Sequence, residues 1–318
     1  MSPSVWKSRQ SQPPRPSRQR RRSRNARRSR AGLLVAALLA VAGLLAGCSS
    51  NASAPPASSG APGKGKGHTS SSAAPSGPSA PADDGAYRRW GLDKPLAPPP
   101  APPAGRPPAE EGKGGGTAGA GTPPVIRRVP TKDKVVFITI DDGAEKDPEF
   151  VRMARELKLP FTMFLTDSVA RTGRGYGYFD ELRTLGNGVQ NHTLTHPNLR
   201  TLSADAQRHE ICGQQDQLAK RYGSRPPLFR PPYGNYDDRT LAAAGSCGVR
   251  AVVLWEATMQ INDMRYAEGD GLRPGDIILA HFRGPAELKG TTMTRMVVNM
   301  LRSIQRQGYT VARLEDYV

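Results

Sequence analysis

Apolar residues are spread unevenly along this chain. After about residue 131 they recur as short runs set apart by polar, helix-compatible stretches. The first run, Val135-Val136-Phe137-Ile138-Thr139-Ile140, is β-branched or aromatic throughout and predicts a strand buried on both faces. It stops at Asp141-Asp142-Gly143, where a turn capped by Asp141 and an active site are both open readings. Asp147-Pro148 then reads as an N-cap with proline at the first helical position, opening a helix to about Lys158. Further strands are expected at Phe161 to Leu165, Gly188 to Asn191, Leu228 to Arg230, Val249 to Trp255, Asp276 to His281 and Thr310 to Leu314. Between them, helices are expected at Phe179 to Leu185, Ser203 to Tyr222, Asp237 to Ala244 and Met293 to Gln307, three of them closed by Gly186, Gly223 and Gly308. Strands and helices alternating at this spacing predict parallel β/α units, as a barrel or an open doubly wound sheet. No glycine-rich phosphate loop follows any strand, which argues against a nucleotide-binding sheet.

Composition divides the chain before that point. Of 318 residues, 30 are proline and 34 glycine, concentrated towards the front. The net charge of +17 is also uneven: residues 1–47 hold 11 Lys and Arg and no acid, leaving 34 basic against 28 acidic residues, or +6. The basic excess therefore belongs to a targeting segment, and nucleic acid is not an expected partner. Lys7 to Arg30 reads as the basic region of a signal peptide and Ala31 to Gly47 as its apolar region. Leu45-Ala46-Gly47-Cys48 looks like a bacterial lipobox, so residues 1–47 are expected to be removed and Cys48 to become a lipidated N-terminus. Arg27-Arg28 is a weak pointer to twin-arginine export among so many arginines. Residues 48–130, rich in Ser, Ala, Pro and Gly, cannot bury enough apolar surface to order themselves, and are expected to be a disordered tether. Such a chain spans roughly 50 Å. Within it only Tyr87 to Leu92 is a patch able to dock, and His68 is taken as inert. Residues 131–318 form the folded domain, expected as a monomer on the outer face of the membrane.

Polar residues sort onto the ends of the expected strands. Asp141 and Asp142 follow the first, His192 and His196 the third, Arg230 and the Pro231-Pro232-Tyr233-Gly234 turn the fourth; Trp255 closes the fifth and His281 the sixth. In a parallel barrel these ends open on one face, where barrel enzymes assemble their chemistry. The spacing His192-x-x-x-His196 sets two imidazoles to grip one ion. With one carboxylate added, the set suits zinc hydrolysis or non-haem iron chemistry. The short His-x-Asp/Glu motif and jelly-roll pattern of the iron sites are not visible, so a metal-activated water is the expectation.

Four motifs in order, Thr139-Ile140-Asp141-Asp142-Gly143, His192-Thr193-Leu194-Thr195-His196, Arg230-Pro231-Pro232-Tyr233-Gly234 and Leu279-Ala280-His281, resemble those of the polysaccharide deacetylases, the NodB-homology domains of carbohydrate esterase family 4. The resemblance runs from about Thr131 to Val318. It implies a distorted (β/α)7 barrel and removal of N- or O-acetyl groups from polysaccharides, with peptidoglycan, chitin-like polymers and xylan as the substrate classes. By position it implies Asp142, His192 and His196 as ligands of one divalent ion (Zn, with Co, Ni or Mn as alternatives), Asp141 as base and His281 as acid. Arg230 would hold Asp141, the Tyr233 backbone N–H would face the oxyanion, and Trp255 and Tyr233 would meet substrate. Tyr176, Tyr178 and Trp255 could stack on sugar rings, with plain packing as the equal alternative. One motif departs from the family. Thr258 stands where an aspartate is expected after Trp255, and the nearby acids are Glu256 and Asp263, while Asp276 reads as a turn residue. Either another carboxylate supports the site or activity is reduced or redirected, so a silent glycan-binding lipoprotein and an O-acetyl esterase stand beside the N-deacetylase. Cys212 and Cys247, in an exported domain, are expected to form a disulfide worth roughly 3–4 kcal/mol for a loop of about 35 residues. His209, beside Cys212, reads as a helix-surface residue.

Overall fold

A computed structural model describes residues 85–103 and 121–318 of the chain. Signal region, lipobox, Cys48 and His68 lie outside the described residues. The central strand β2 (Val135–Asp142) grows from the run that opened the sequence and continues through both acids. Its alternation assigns its two faces. Val136, Ile138 and Ile140 enter one core cluster with the helices α2 (Pro148–Glu156) and α7 (Met293–Arg306), whereas Val135 and Phe137 join a second cluster with Phe164, Ile277 and Tyr317 inside the curved sheet. Thr139 and Asp141 therefore share the inner face with Phe137.

Parallel partners flank β2: β3 (Thr162–Leu165) on one side, β9 (Ile277–His281) on the other, and β10 (Thr310–Ala312) along its first residues. From β3 the sheet continues through β4 (Gly188–Asn191), β5 (Leu228–Phe229) and β6 (Ala251–Val253) to β1 (Val125–Ile126). Beyond β9 it ends in an antiparallel pair, β7 (Ala257–Met259) and β8 (Met264–Tyr266). The ten strands follow an open path, a half-barrel. Its two sides are stitched by an Arg128–Asp276 bridge and by Val129 N–H donating to the Gly275 carbonyl. The expected distorted barrel is present in this open form. The β7–β8 hairpin and β1 escape the pattern reading because their two- and three-residue strands carry too few β-branched positions for a periodic signal.

The caps named above hold. Asp147 accepts from Glu149 N–H, Ser203 starts α5 (Ala204–Tyr222), Gly223 ends it, and Asp237 caps α6 (Asp238–Ser246). The Cys212–Cys247 disulfide joins α5 to α6, and His209 is exposed on α5.

The tether expectation is corrected for part of its length. Residues 85–103 lie on the domain, with a helical turn α1 (Ala86–Arg89) whose neighbours Tyr87 and Leu92 are buried in the main core cluster. Trp90 Nε1 donates to Glu156 at 2.8 Å, Arg302 Nε to the Gly91 carbonyl at 2.8 Å, and Tyr317 Oη to the Pro100 carbonyl at 3.1 Å. Composition averaged over the whole segment hides three large apolar side chains within six residues.

Candidate active site

The carboxyl ends of β2, β4, β5 and β9 meet at one end of the sheet. Asp141 faces inward, fully buried. Its Oδ1 accepts from Arg230 Nη1 at 2.6 Å. Arg230 is itself completely buried and commits every arm: Nη1 also to Thr139 Oγ1 at 2.8 Å, Nε to the Val253 carbonyl at 3.1 Å and Nη2 to the Leu254 carbonyl at 3.3 Å. Its guanidinium stacks 4.3 Å over the Phe164 ring and lies 5.7 Å from Trp255. A buried cation with satisfied donors and an ionised partner is tolerable where a lone one is not.

Beside this pair, Asp142, His192 and His196 each bring one ligand-type atom within 4.8 Å of the others. Asp142 Oδ1 lies 3.6 Å from His192 Nε2 and 3.3 Å from His196 Nε2, yet is buried and makes no hydrogen bond among the described residues. A buried carboxylate oxygen without a donor costs free energy unless a cation or a donor completes it. His192 Nδ1 sits 2.6 Å from the Arg230 carbonyl, which fixes that nitrogen as the protonated one and turns Nε2, as an acceptor, towards Asp142. Burial first, and then His196, holds His192 neutral with its pKa down at about 3. Burial raises Asp142, and pushes Asp141 up to about 6 against the opposing pull of Arg230. Two imidazole nitrogens, an orphaned carboxylate oxygen and short mutual distances fit a divalent cation.

The backbone here is held in costly conformations. Asp142, Thr193, His196 and Tyr233 all have positive φ, four of the six such non-glycine residues among those described. Each costs of order 1 kcal/mol and survives where surrounding contacts over-determine it. Those contacts are visible. Thr193 N–H donates to Asn191 Oδ1, His196 N–H to Thr193 Oγ1, Thr166 Oγ1 to the His192 carbonyl, and Thr195 gives both its N–H and its hydroxyl to Glu210. Gly143 has φ +86, and a Cβ there would meet Phe179 at 2.9 Å, so only glycine can follow the two acids.

His281 is the register partner of Asp141 on β9 and shares its inward face. Burial, and next the charge of Arg283, hold its pKa well below the ordinary imidazole value. Tyr233, 52% exposed, turns the chain with its ring 4.7 Å from the His196 ring. Trp255 wedges against Gly234 and the core, half-buried, above Arg230. Of the two readings for Tyr176 and Tyr178, sugar stacking or plain packing, the structure shows packing. Tyr178 is fully buried among Phe179 and Phe282, and Tyr176 packs on the core with its hydroxyl on Asp167.

Glu256, Asp263 and Asp276 do not take the place of the aspartate expected at Thr258. Glu256 turns to Arg128, 3.7 Å away, Asp263 pairs with Arg265 on the exposed hairpin, and Asp276 is a turn residue bound by Arg128 and Arg273 N–H. Thr139 is the residue that sequence reasoning missed. Its signal was a hydroxyl on the same face as Asp141 in an otherwise apolar strand. Asn191 and Glu210, which anchor the histidine loop, gave no such signal: Asn191 bonds the backbone two residues on at the end of a strand, and Glu210 reaches Thr195 from a helix 15 residues away.

The polysaccharide deacetylase family profile matches residues 128–252. An uncharacterized protein of Streptomyces coelicolor is 48% identical over 198 residues, covering 62% of this chain and 78% of its own. The peptidoglycan-N-acetylglucosamine deacetylase of Bacillus cereus is 25% identical, covering 61% of this chain and 93% of its own. Among solved structures, a CE4 family pseudoenzyme from Bacillus anthracis is similar in fold: TM-score 0.51, 21% identity, 62% of this chain and 69% of that one.

Proposed function

We propose, for a chain that belongs to the polysaccharide deacetylase family, hydrolysis of acetyl groups on a polysaccharide, with the N-acetyl groups of a cell-wall glycan as substrate. The observation that carries this reading is the orphaned Asp142 Oδ1 between two imidazoles, beside an inward Asp141 clamped by a buried arginine. A divalent cation held by Asp142, His192 and His196, zinc first and cobalt, nickel or manganese as alternatives, would supply Lewis-acid polarisation of a carbonyl and a lowered pKa for a ligating water. Asp141 takes the proton of the attacking water as its oxygen bonds to the acetyl carbon. Arg230 favours the ionised form of Asp141 against burial and fixes its orientation. The Tyr233 backbone N–H serves as a donor to the developing oxyanion. His281, its pKa lowered by burial, takes up a proton from solvent once negative charge develops beside it and delivers that proton to the nitrogen as the carbon–nitrogen bond breaks, while Asp141 keeps the proton taken from water. The products are acetate and a free amine. We further infer that Cys48 carries a lipid and that residues 1–47 direct export, which sets the domain at the outer membrane face near its glycan.

The purified full chain is expected to release acetate from acetylated glycan, to stop with chelator and to resume with added zinc. Release that persists without metal would overturn the mechanism. Asp141→Asn is expected to lower turnover by about 10³-fold, within the range of lost general-base catalysis, while zinc binding measured by titration persists. A second reading, a glycan-binding protein without turnover, is favoured by the engagement of Glu256 with Arg128 and of Asp263 with Arg265, which leaves Asp141 as the one acid paired with Arg230 among the described residues. Glycan binding with no acetate from peptidoglycan, chitin oligomers or acetyl-xylan would select it. Release from acetyl-xylan alone would select an O-acetyl esterase.

A further inference from the structure

We propose that Arg283 binds an anionic substituent, a carboxylate or a phosphate, on the acetylated amino sugar, so that the preferred substrate is an acidic glycan and not a neutral one. This rests on the deacetylase reading given above. The chain leaves β9 extended, and side chains of an extended segment alternate. Phe282 is fully buried on the helix side, edge-on to Phe150, Tyr178 and Phe179. His281 and Arg283 therefore project to the other side, the mouth that Asp141 also faces.

The segment is anchored, which makes the placement definite. Phe282 N–H donates to the Asp141 carbonyl at 3.1 Å, and Glu145 N–H to the Phe282 carbonyl at 3.1 Å. Arg283 is partly exposed and makes no hydrogen bond or ion pair among the described residues. Two other cations are committed: Lys146 Nζ donates to the Gly143 and Val169 carbonyls, and Arg171 pairs with Asp167 at 3.3 Å. Arg283 stands two residues beyond His281, the register partner of Asp141, on the same side of this segment. A guanidinium kept beside a histidine that must accept a proton disfavours that proton. Such a placement is understandable if an anion of the substrate neutralises it on binding, since Arg meets carboxylate or phosphate with paired charge-assisted bonds.

The test compares four probes with the full zinc-loaded chain: neutral N-acetylglucosamine oligomers, glycan strands containing N-acetylmuramic acid, the same strands with the carboxyl reduced to an alcohol, and a 6-phosphorylated oligomer. For the wild type, kcat/KM on one anionic probe is expected to exceed that on its neutral counterpart. Arg283→Gln is expected to reduce that ratio by about tenfold or more, mainly through KM, and Arg283→Lys to restore part of it. Which anionic probe responds identifies carboxylate or phosphate. Equal kcat/KM on charged and neutral probes, or a ratio unmoved by Arg283→Gln, overturns the proposal. Calorimetric titration of the same probes separates the two readings. An Arg283-dependent binding preference without any acetate release sinks the deacetylase reading alone, and acetate release without the preference sinks the anion site alone.

Discussion

Thr139 does two jobs with one hydroxyl, accepting from Arg230 Nη1 and donating to the Ile278 carbonyl at 2.7 Å. Both partners are buried, so removing the hydroxyl leaves a charged donor and a carbonyl short of a partner. Thr139→Val, nearly the same shape, is expected to cost about 1–3 kcal/mol by the penalty for unsatisfied buried groups. Denaturant midpoints measure the loss. Acetate release is expected to fall with it, because Arg230 then orients Asp141 less tightly. Stability and turnover both at wild-type level would mean that Thr139 merely fills space.

The turn Leu314–Asp316 after β10 carries Glu315 beneath the first residues of β3 and β4, at the end of the sheet opposite the candidate site. Its carboxylate accepts from Thr162 Oγ1 at 2.8 Å and Gln190 Nε2 at 3.0 Å, and it occupies the space where a side chain at Gly188 would stand. Burial raises its pKa in the folded protein. A carboxyl raised on folding holds its proton more tightly in the native state. The stability it contributes is therefore whole below the unfolded value, about 4.3, and drains away as pH climbs through the folded value. Glu315→Gln cannot ionise and escapes that loss. The stability difference, variant minus wild type, is expected to grow as pH rises from about 4 to 7. Denaturant titrations of both proteins across that window test it; a flat difference would show Glu315 to be unperturbed, and a falling one would show its pKa to be lowered. Gly188→Ala is expected to destabilise by about 1–3 kcal/mol through overpacking, read as a lowered thermal midpoint.

On the scale of the molecule, residues 85–103 tie the front of the described chain to α7 and α2. Tyr87 and Leu92 are as buried as core residues, and Trp90 closes over Glu156. Tyr87→Ala is expected to cost about 3 kcal/mol as a large-to-small core change. Deleting residues 1–103 is expected to lower the thermal midpoint further, since it uncovers the Leu92 site as well. An unchanged midpoint after that deletion would show the packed segment to be decoration. Among the described residues no helix is long and apolar enough to cross a membrane.

Much of the candidate site was legible because its chemistry is local in sequence: two acids ending an apolar strand, two histidines four apart, an arginine before two prolines. Helix caps at Asp147, Ser203 and Asp237 were legible for the same reason, as each side chain bonds its own next turn. Support for Arg230 was not, because Thr139 lies 91 residues away and two of the remaining acceptors are backbone carbonyls of Val253 and Leu254. Neither was the docking of Tyr87 to Leu92, whose partners are more than 60 residues distant. By itself the sequence determined the order of strands and helices and the residue types at the strand ends, since both follow from short-range period and capping. Only the tertiary structure decided that the sheet stays an open half-barrel, that Glu256 and Asp263 turn away from the site, and that Arg283 stands uncommitted at its mouth. Those outcomes depend on which distant groups meet, and close packing settles that only when the whole chain has folded.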